Sequence, residues 1–438
     1  MAKKYWIETY GCQMNVAESD ALELELEKSG WEHAQSPEEA HAVLLHTCSV
    51  RQTAEDRIWG RLGFYKHLKG QHDGERQKMR IVVTGCMAER LGEQITDTYP
   101  SVDLVVGNFA KQHIAEELER IVPSGEGRAR LEENDSFEFS RFHSREGAHH
   151  AYVPIMHGCD NFCTYCIVPY VRGREISRPP SDIIEEIRRA EQLGVKELTL
   201  LGQNVNSYDF KGEDGTRRFT DLLEQILESL DGIEWLRFIT SHPKDVPEGL
   251  IELMADDTRL CGDFHIRVQH ASDTILRAMN RRYSRADYLA IVEKLRRQIP
   301  DISITTDIMV GFPGETEEDF DTLLELVRHV EFEDAFMYYF NPREGTPAAG
   351  FRHQVPHEQK LDRLSRLIAL QRSITQDKRS GRIGSVDMVL VDAVSKKNNR
   401  EMRGHSERDE PVVFRGGTEL IGRIVPVRLE SISGTTYK

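Results

Sequence analysis

Nowhere in the 438-residue chain does an apolar run approach the ~18 residues of a membrane-spanning helix, and the mean hydropathy is −0.51. An integral membrane protein is therefore not expected. The start, Met1 to Glu8, carries a charge pair but no apolar stretch, so no secretory signal is expected. Cysteine is scarce: 7 residues, an odd number and too few for a disulfide scaffold. Cysteines in such a cytosolic setting more often bind metal or do chemistry. Positive charge is also short, with 57 Lys and Arg against 73 Asp and Glu, a net of −16. That balance excludes a protein that coats nucleic acid through its whole surface. The deficit is uneven, because Gln376 to Lys438 holds 12 basic against 9 acidic residues. An acidic body with a mildly basic tail is compatible with local RNA binding. At ~150 residues per domain the chain should form roughly three domains in the cytoplasm.

What is present is alternation. Over the first ~120 residues, strand-like runs (Lys4–Thr9, His41–His46, Arg80–Thr84, Asp103–Val106) alternate with helical text at 16–28, 53–69, 88–98 and 110–121, as in a parallel α/β sheet. Residues 122–148 are polar and irregular and read as a linker. A second series follows, with strands expected at Tyr152–Met156, Glu197–Leu201, Trp235–Thr240, Phe264–Val268, Ser303–Val310 and Ala335–Phe340. Six βα units predict a partial barrel with its site at the C-terminal strand ends. An amphipathic stretch at 357–380 closes it. From Gly381 onward, short β-rich pieces (Val386–Asp392, Pro411–Phe414, Ile424–Glu430) predict a small antiparallel barrel. The expected division is thus 1–121, linker 122–148, 149–380 and 381–438.

Cys159, Cys163 and Cys166 lie within eight residues, just after a strand. Thiolates this close converge on one centre, and soft sulfur selects iron–sulfur or zinc. A four-iron cluster on three cysteines keeps one iron open to chelate S-adenosylmethionine. Zinc with His157 as fourth ligand is the competing reading. Tyr165 completes a Cys-x-x-x-Cys-x-aromatic-Cys pattern specific to radical S-adenosylmethionine enzymes. Cys12, Cys48 and Cys86 are 36 and 38 residues apart, and each ends an apolar run before a helix. Parallel strands end at one edge, so these thiols are expected to meet as a second three-cysteine set. The competing reading is three unrelated buried cysteines. Cys261 lacks such a setting and reads as an ordinary thiol.

Gly202, Gln203 and Asn204 end a strand, and Gly311 opens a Gly-rich turn; both suit a bound adenosyl cofactor. Ser241 and His242 close another strand in Thr240-Ser241-His242-Pro243, where His242 either contacts substrate or caps a turn. Arg172, Arg174 and Arg178 are placed to bind phosphate or a cofactor carboxylate, or to line a solvated loop. The acidic run Glu18–Glu27 reads as a solvated helix face.

These motifs resemble the radical S-adenosylmethionine methylthiotransferases over essentially the whole chain. The resemblance rests on Gly11-Cys12-Gln13-Met14-Asn15, Thr47-Cys48-Ser49-Val50-Arg51, Thr84-Gly85-Cys86, the Cys159/Cys163/Cys166 loop with Val168-Pro169-Tyr170-x-Arg172-Gly173, and Gly311-Phe312-Pro313-Gly314-Glu315-Thr316. Gln13-Met14-Asn15 and Thr240-Ser241-His242-Pro243 point to the branch that acts on tRNA. The resemblance implies a methylthiotransferase domain, a radical core and a C-terminal RNA-binding TRAM domain. It also implies two 4Fe–4S clusters on the two cysteine sets, and S-adenosylmethionine near Tyr165, Gly202, Gln203, Asn204, Gln269 and Gly311. Ser241, His242, Arg172 and Arg174 are the expected substrate contacts. The implied reaction methylthiolates carbon 2 of N6-dimethylallyladenosine beside the anticodon, with an electron donor such as flavodoxin or ferredoxin and a monomeric enzyme.

Two segments depart from the family pattern. Arg267-Val268-Gln269-His270-Ala271-Ser272 replaces the usual Pro-Val-Gln-Ser-Gly-Ser, and Gly404 to Glu410 is unusually acidic, which is expected to weaken or reroute tRNA contacts. Rival readings are methylthiolation of threonylcarbamoyl-adenosine or of a ribosomal-protein aspartate, and a non-catalytic iron–sulfur carrier or RNA binder. A carrier is expected to ligate every iron, with four cysteines per cluster. Two sets of three favour open irons.

Overall fold

The computed structural model describes residues 3–49, 52–70, 79–121, 127–131, 137–213, 215–239 and 241–438. Val50, Arg51, Thr240 and the parts 122–126 and 132–136 of the expected linker lie outside the described residues. The chain divides into two compact bodies. The first comprises 1–145, 152–160 and 166–178, and the second 146–151, 161–165 and 179–438.

The first body is built on a parallel sheet of β1 (Lys3–Thr9), β2 (Trp31–His33), β3 (Ala42–Thr47), β4 (Arg80–Gly85), β5 (Leu104–Val106) and β6 (Arg128–Arg130), in the order β2-β1-β3-β4-β5-β6. Between the strands run α1 (Gln13–Lys28), α2 (Gln52–Gly70), α3 (Cys86–Leu91), α4 (Glu93–Thr98) and α5 (Ile114–Arg120). All six residues of β3 are buried, and β4 reads Arg-Ile-Val-Val-Thr-Gly. Such continuous apolar text is what a central parallel strand covered on both faces requires. One face packs Val43, Leu45, Val83 and Val105 on α2, and the other packs Leu44, Val82 and Leu104 with Leu22 and Leu118. Two strands were not expected. Trp31–His33 is too short to show a period, and Arg128–Arg130 lies in the stretch read as a linker yet extends this sheet. The helix expected over 88–98 is two helices, broken at Gly92. After β7 (His150–Pro154), this body also holds the antiparallel pair β8 (Met156–His157) and β9 (Ile176–Ser177), with α6 (Val168–Val171) between them.

In the second body α7 (Pro180–Gln192) precedes β10 (Glu197–Leu201). The hairpin β11 (Asp209–Gly212)–β12 (Gly215–Arg218), α8 (Phe219–Ser229), β13 (Trp235–Phe238) and α9 (Leu250–Asp256) follow. Then come β14 (Asp263–His265), α10 (Asp273–Ala278), α11 (Arg285–Gln298), β15 (Ser303–Val310), α12 (Glu317–Val330), β16 (Asp334–Tyr339) and α13 (His357–Gly381). β10 pairs with β13, and β14 with β15 and β15 with β16, all parallel. Isolated parallel bridges, Leu236 to Leu260 and Ser241 to Ile266, join β13 to the β14 region. β10 and β15 have the expected bounds, whereas β13 and β14 end at Phe238 and His265, before the expected Thr240 and Val268.

The C-terminal segment folds as β17 (Val386–Val394), β18 (Glu401–Ser406), β19 (Pro411–Arg415), β20 (Ile424–Arg428), β21 (Ile432–Ser433) and β22 (Thr436–Tyr437). They form one sheet, antiparallel as expected in every pairing but β19–β22. β18 escaped notice because its text, Glu-Met-Arg-Gly-His-Ser, is mostly polar. Cys261 is a core thiol, packed with Trp235 and Leu390.

The acidic 404–410 stretch has an inward role. Arg237 donates to the Ser406 carbonyl (3.0 Å) and to the Glu407 carbonyl (2.6 Å). Glu410 is buried beside Arg379 and Arg382. His405 reaches Glu197 at 2.6 Å and Asp392 at 3.3 Å. Burial opposes the His405 charge, but the hydrogen bonds to Asp392 and Glu197 overcome it and pull the imidazole up to about 10. A raised value means the protonated ring stabilises the fold fully below about pH 6.5, and that contribution is lost as pH rises through about 10. Thermal melting should therefore weaken across that window, and His405→Gln should flatten the dependence. An equal slope in both proteins would count against it.

Candidate metal centres

The three strand-end cysteines are aligned by sheet register. Thr9 lies opposite His46, and Thr47 opposite Gly85, so Cys12, Cys48 and Cys86 follow adjacent strand ends. A Cβ on Gly11 would come within 2.7 Å of Cys48 Cβ, and one on Gly85 within 2.4 Å of the Thr47 carbonyl oxygen. No larger residue fits between these ends. Asn15 Nδ2 donates to the Tyr10 and Thr47 carbonyls at 2.9 and 3.0 Å, and Thr47 Oγ1 donates to the Thr84 carbonyl at 2.6 Å. Cys12 stands at the N-cap position of α1; it is exposed while Cys48 and Cys86 are buried. Among the described residues, no three His, Cys, Asp or Glu side chains stand close enough to hold a single metal ion.

Beside these thiols lies a buried charge network that the sequence reading missed. Glu18 and Glu23 are buried, which corrects the reading of Glu18–Glu27 as a solvated face. Arg172 clamps Glu18 with two bonds (2.6 and 3.1 Å) and donates to Asn15 Oδ1 at 3.2 Å. Lys111 Nζ is 2.6 Å from the same carboxylate, and His46 Nε2 is 3.3 Å away. Burial raises the Glu18 carboxyl, but Arg172 and Lys111 outweigh it and hold it well below its ordinary range. Burial pushes His46 down to about 4, so it is neutral at pH 7. Arg172 loses solvation, yet Glu18 and Cys86 keep it firmly protonated. Two cations against one carboxylate leave a surplus positive charge beside Cys86 and Cys12. Arg172 is thus buried and committed to Glu18, which goes against the competing reading of a solvated loop for this residue; Arg174 is exposed and pairs with Asp160 at 3.2 Å. Cys86 packs against Ile167 and Val171.

Within the second cysteine set, Cys159 and Cys163 are buried and Cys166 is half-buried. Cys159 N donates to the Gly173 carbonyl at 3.1 Å, and a Cβ on Gly158 would sit 1.9 Å from the Arg174 carbonyl oxygen. Cys163 Sγ accepts from Arg281 Nη1 at 3.6 Å. The buried Arg281 was another residue missed, because nothing in the text around it marks its partner. Thr164 is bonded to the Ala278 and Met279 carbonyls, and Asn280 to those of Asn161 and Phe162.

Tyr165 meets the edge of Phe312, ring centres 6.5 Å apart. Gln269 is buried and accepts from Tyr338 at 2.6 Å. Gly311 N donates to Glu315 Oε2 at 2.7 Å, and a Cβ on Gly311 would meet the Lys360 side chain. Gly202 is buried. Asn204 is committed to Asp245 (2.7 Å) and to the His242 amide (3.2 Å). Ser241 donates to Asn206 at 3.4 Å. His242 Nδ1 caps a short turn by accepting from Lys244 N at 3.3 Å, and burial lowers its basicity far below normal. Gln203 Oε1, Asn206 Nδ2, Arg267 Nε and His242 Nε2 are buried without a hydrogen-bond partner among the described residues. Buried polar atoms left so are costly, and a bound polar molecule would relieve them.

Glu18→Gln should leave Arg172 and Lys111 as uncompensated buried cations and destabilise the cluster-free protein by ~3–5 kcal/mol in chemical denaturation. Glu25→Gln, which breaks an exposed pair with Lys28, should change it by no more than ~1 kcal/mol. Equal effects would refute the network.

Comparison with known proteins places residues 153–327 in the Radical SAM superfamily and residues 4–107 in a family described as uncharacterized protein family UPF0004. The chain is 43% identical over 450 residues to the tRNA-2-methylthio-N(6)-dimethylallyladenosine synthase of Treponema pallidum strain Nichols, covering 99% of this chain and 98% of the relative. It is 42% identical to that of Carboxydothermus hydrogenoformans, covering 98% and 96%. Among solved structures it resembles the radical S-adenosylmethionine methyltransferase TsrM from Kitasatospora setae, with a TM-score of 0.59, 13% identity, and 80% and 77% of the two chains covered. At that identity the likeness concerns the fold alone.

Proposed function

The chain belongs to the tRNA-2-methylthio-N(6)-dimethylallyladenosine synthase family of radical S-adenosylmethionine enzymes, and from this we propose that it methylthiolates carbon 2 of N6-dimethylallyladenosine beside the anticodon of tRNA. The observation that carries the reading is the packing of Cys86 against Ile167, the residue that follows Cys166. A residue of one cysteine set thus adjoins the loop of the other, as a reaction needing both centres at one carbon requires.

In this reading Cys12, Cys48 and Cys86 hold one 4Fe–4S cluster, and Cys159, Cys163 and Cys166 hold the other. A cubane offers a different corner to each thiol, so its ligands spread wider than those of a single ion. When bound, the clusters and S-adenosylmethionine supply the one-electron cleavage, the hydrogen removal and the methylated sulfur that side chains cannot. The protein's part is to position and to screen. Arg172 and Lys111, paired with Glu18, set positive charge beside the first set, and Arg281 orients Cys163 at the second. The unpaired groups of Gln203 and His242 fit a polar cofactor or substrate, and Tyr165, Gly202, Asn204, Gln269 and Gly311 are the proposed cofactor contacts. Ser241 remains a substrate-side candidate, whereas Arg172 acts through Glu18. No described helix is long and apolar enough to cross a membrane. The proposed setting is a cytoplasmic monomer served by a flavodoxin- or ferredoxin-like donor.

Anaerobically reconstituted protein should hold about eight irons, and joint Ala replacement of Cys159, Cys163 and Cys166 should halve that. Cys48→Ala should still yield 5′-deoxyadenosine while the methylthio nucleoside disappears from tRNA by mass spectrometry. Stoichiometric zinc, or cleavage lost in a folded Cys48→Ala protein that keeps its other cluster, would overturn the reading.

Binding of tRNA is assigned to the exposed Lys396, Lys397, Arg400 and Arg403 of the C-terminal sheet. Pairing with phosphates is salt-sensitive and sequence-independent. Replacing all four with Ala should weaken tRNA binding and flatten its salt dependence, the log–log slope falling by ~0.7–0.9 for each phosphate no longer neutralised. Unchanged affinity and slope would move recognition elsewhere.

A further inference from the structure

Asn108, just beyond β5, is fully buried, and its side-chain nitrogen has two partners. One N–H points at Cys86 Sγ, 3.6 Å away, and the other donates to the Val171 carbonyl at 2.7 Å. The Asn108 backbone N–H is tied to Glu89 at 2.6 Å, on the helix that starts at Cys86. Val171 precedes Arg172, which Glu18 clamps and which shares Asn15 Oδ1 with Cys12. One amide therefore touches a thiol of the first set and the backbone that follows Cys166. Its orientation is enforced: turned over, its oxygen would face the Val171 carbonyl oxygen, and the sulfur would lose a donor. Its Oδ1 has no partner among the described residues, so the nitrogen alone holds it.

We propose that Asn108 is a positioning residue that sets the reduction potential of the centre held by Cys12, Cys48 and Cys86. This rests on the ligation scheme above. An N–H aimed at a ligand sulfur stabilises the more negative, reduced form of an iron–sulfur centre, and such hydrogen bonds are among the determinants of potential. Burial strengthens the effect, because no water competes for the sulfur. The bond to Val171 keeps the donor pointed at the thiol and holds Cys86 in register with the segment following Cys166.

The test uses the full-length chain with Cys159, Cys163 and Cys166 replaced by Ala and reconstituted anaerobically, so that a single centre reports. Its midpoint potential is read by a redox titration followed by electron paramagnetic resonance, in this parent and with Asn108→Leu or Asn108→Ala added. Iron is counted in each protein. The expected result is retained iron with a lower potential, reduction becoming about tenfold harder, or about 59 mV for a one-electron couple. An unchanged potential at full iron overturns the proposal, as does loss of iron from both variants, which would make Asn108 scaffold only. A parent that binds no iron would overturn the ligation scheme itself, and is told apart because Asn108 is intact there.

Discussion

The carboxylate of Glu18 is the point on which the first body depends. It is buried on α1, and Arg172, Lys111 and His46 all converge on it from other segments. An arginine and a lysine buried without it would carry a large desolvation cost, and a buried carboxylate without them would take up a proton. Together they are mutually compensated, and they tie α1 to the turn before α5 and to the segment after Cys166. That tie places a positive surplus near the thiols of Cys12 and Cys86, the latter also packed against Ile167 and Val171.

Around this network the backbone is brought unusually close. At Gly85 and Gly158 a side chain would collide with a neighbouring carbonyl oxygen, so both cysteine-bearing turns are pressed against adjoining main chain. Close packing of this kind has little freedom to relax. Cys12 and Cys86 are therefore held by main-chain geometry and by two buried amides, those of Asn15 and Asn108, whereas Cys163 meets the long side chain of Arg281.

In the second body the same economy of buried charge joins the C-terminal sheet to the core strands. Glu197 on β10 accepts from both Arg237 and His405, which is why a residue in a fully buried strand is acidic at all. Burial disfavours its charge, and His405 and Arg237 still bring it down to about 2. The acidic text from Glu407 to Glu410 belongs to this arrangement. Its carbonyls and carboxylates face arginines of the same body, while the basic residues from Lys396 to Arg403 stay exposed to solvent.

The placement of Cys12, Cys48 and Cys86 after adjacent strand ends was legible from the amino-acid text, because parallel strands end on one edge. The alternation of apolar runs and helices was equally legible, since a strand covered on both faces must be apolar throughout. What the text could not disclose was the partner of each charge. Glu18 and Glu25 look alike in a run of acidic residues, yet one is buried against two cations and the other is exposed. Arg172 looks like a loop arginine, His242 like a substrate contact and Asn108 like a turn residue. Their partners lie tens to hundreds of residues away, and burial, which sets the worth of every charge and amide, is a property of the packed chain. Spacing along the sequence determined which residues are proposed to carry the chemistry; only tertiary packing decided which side chains surround them.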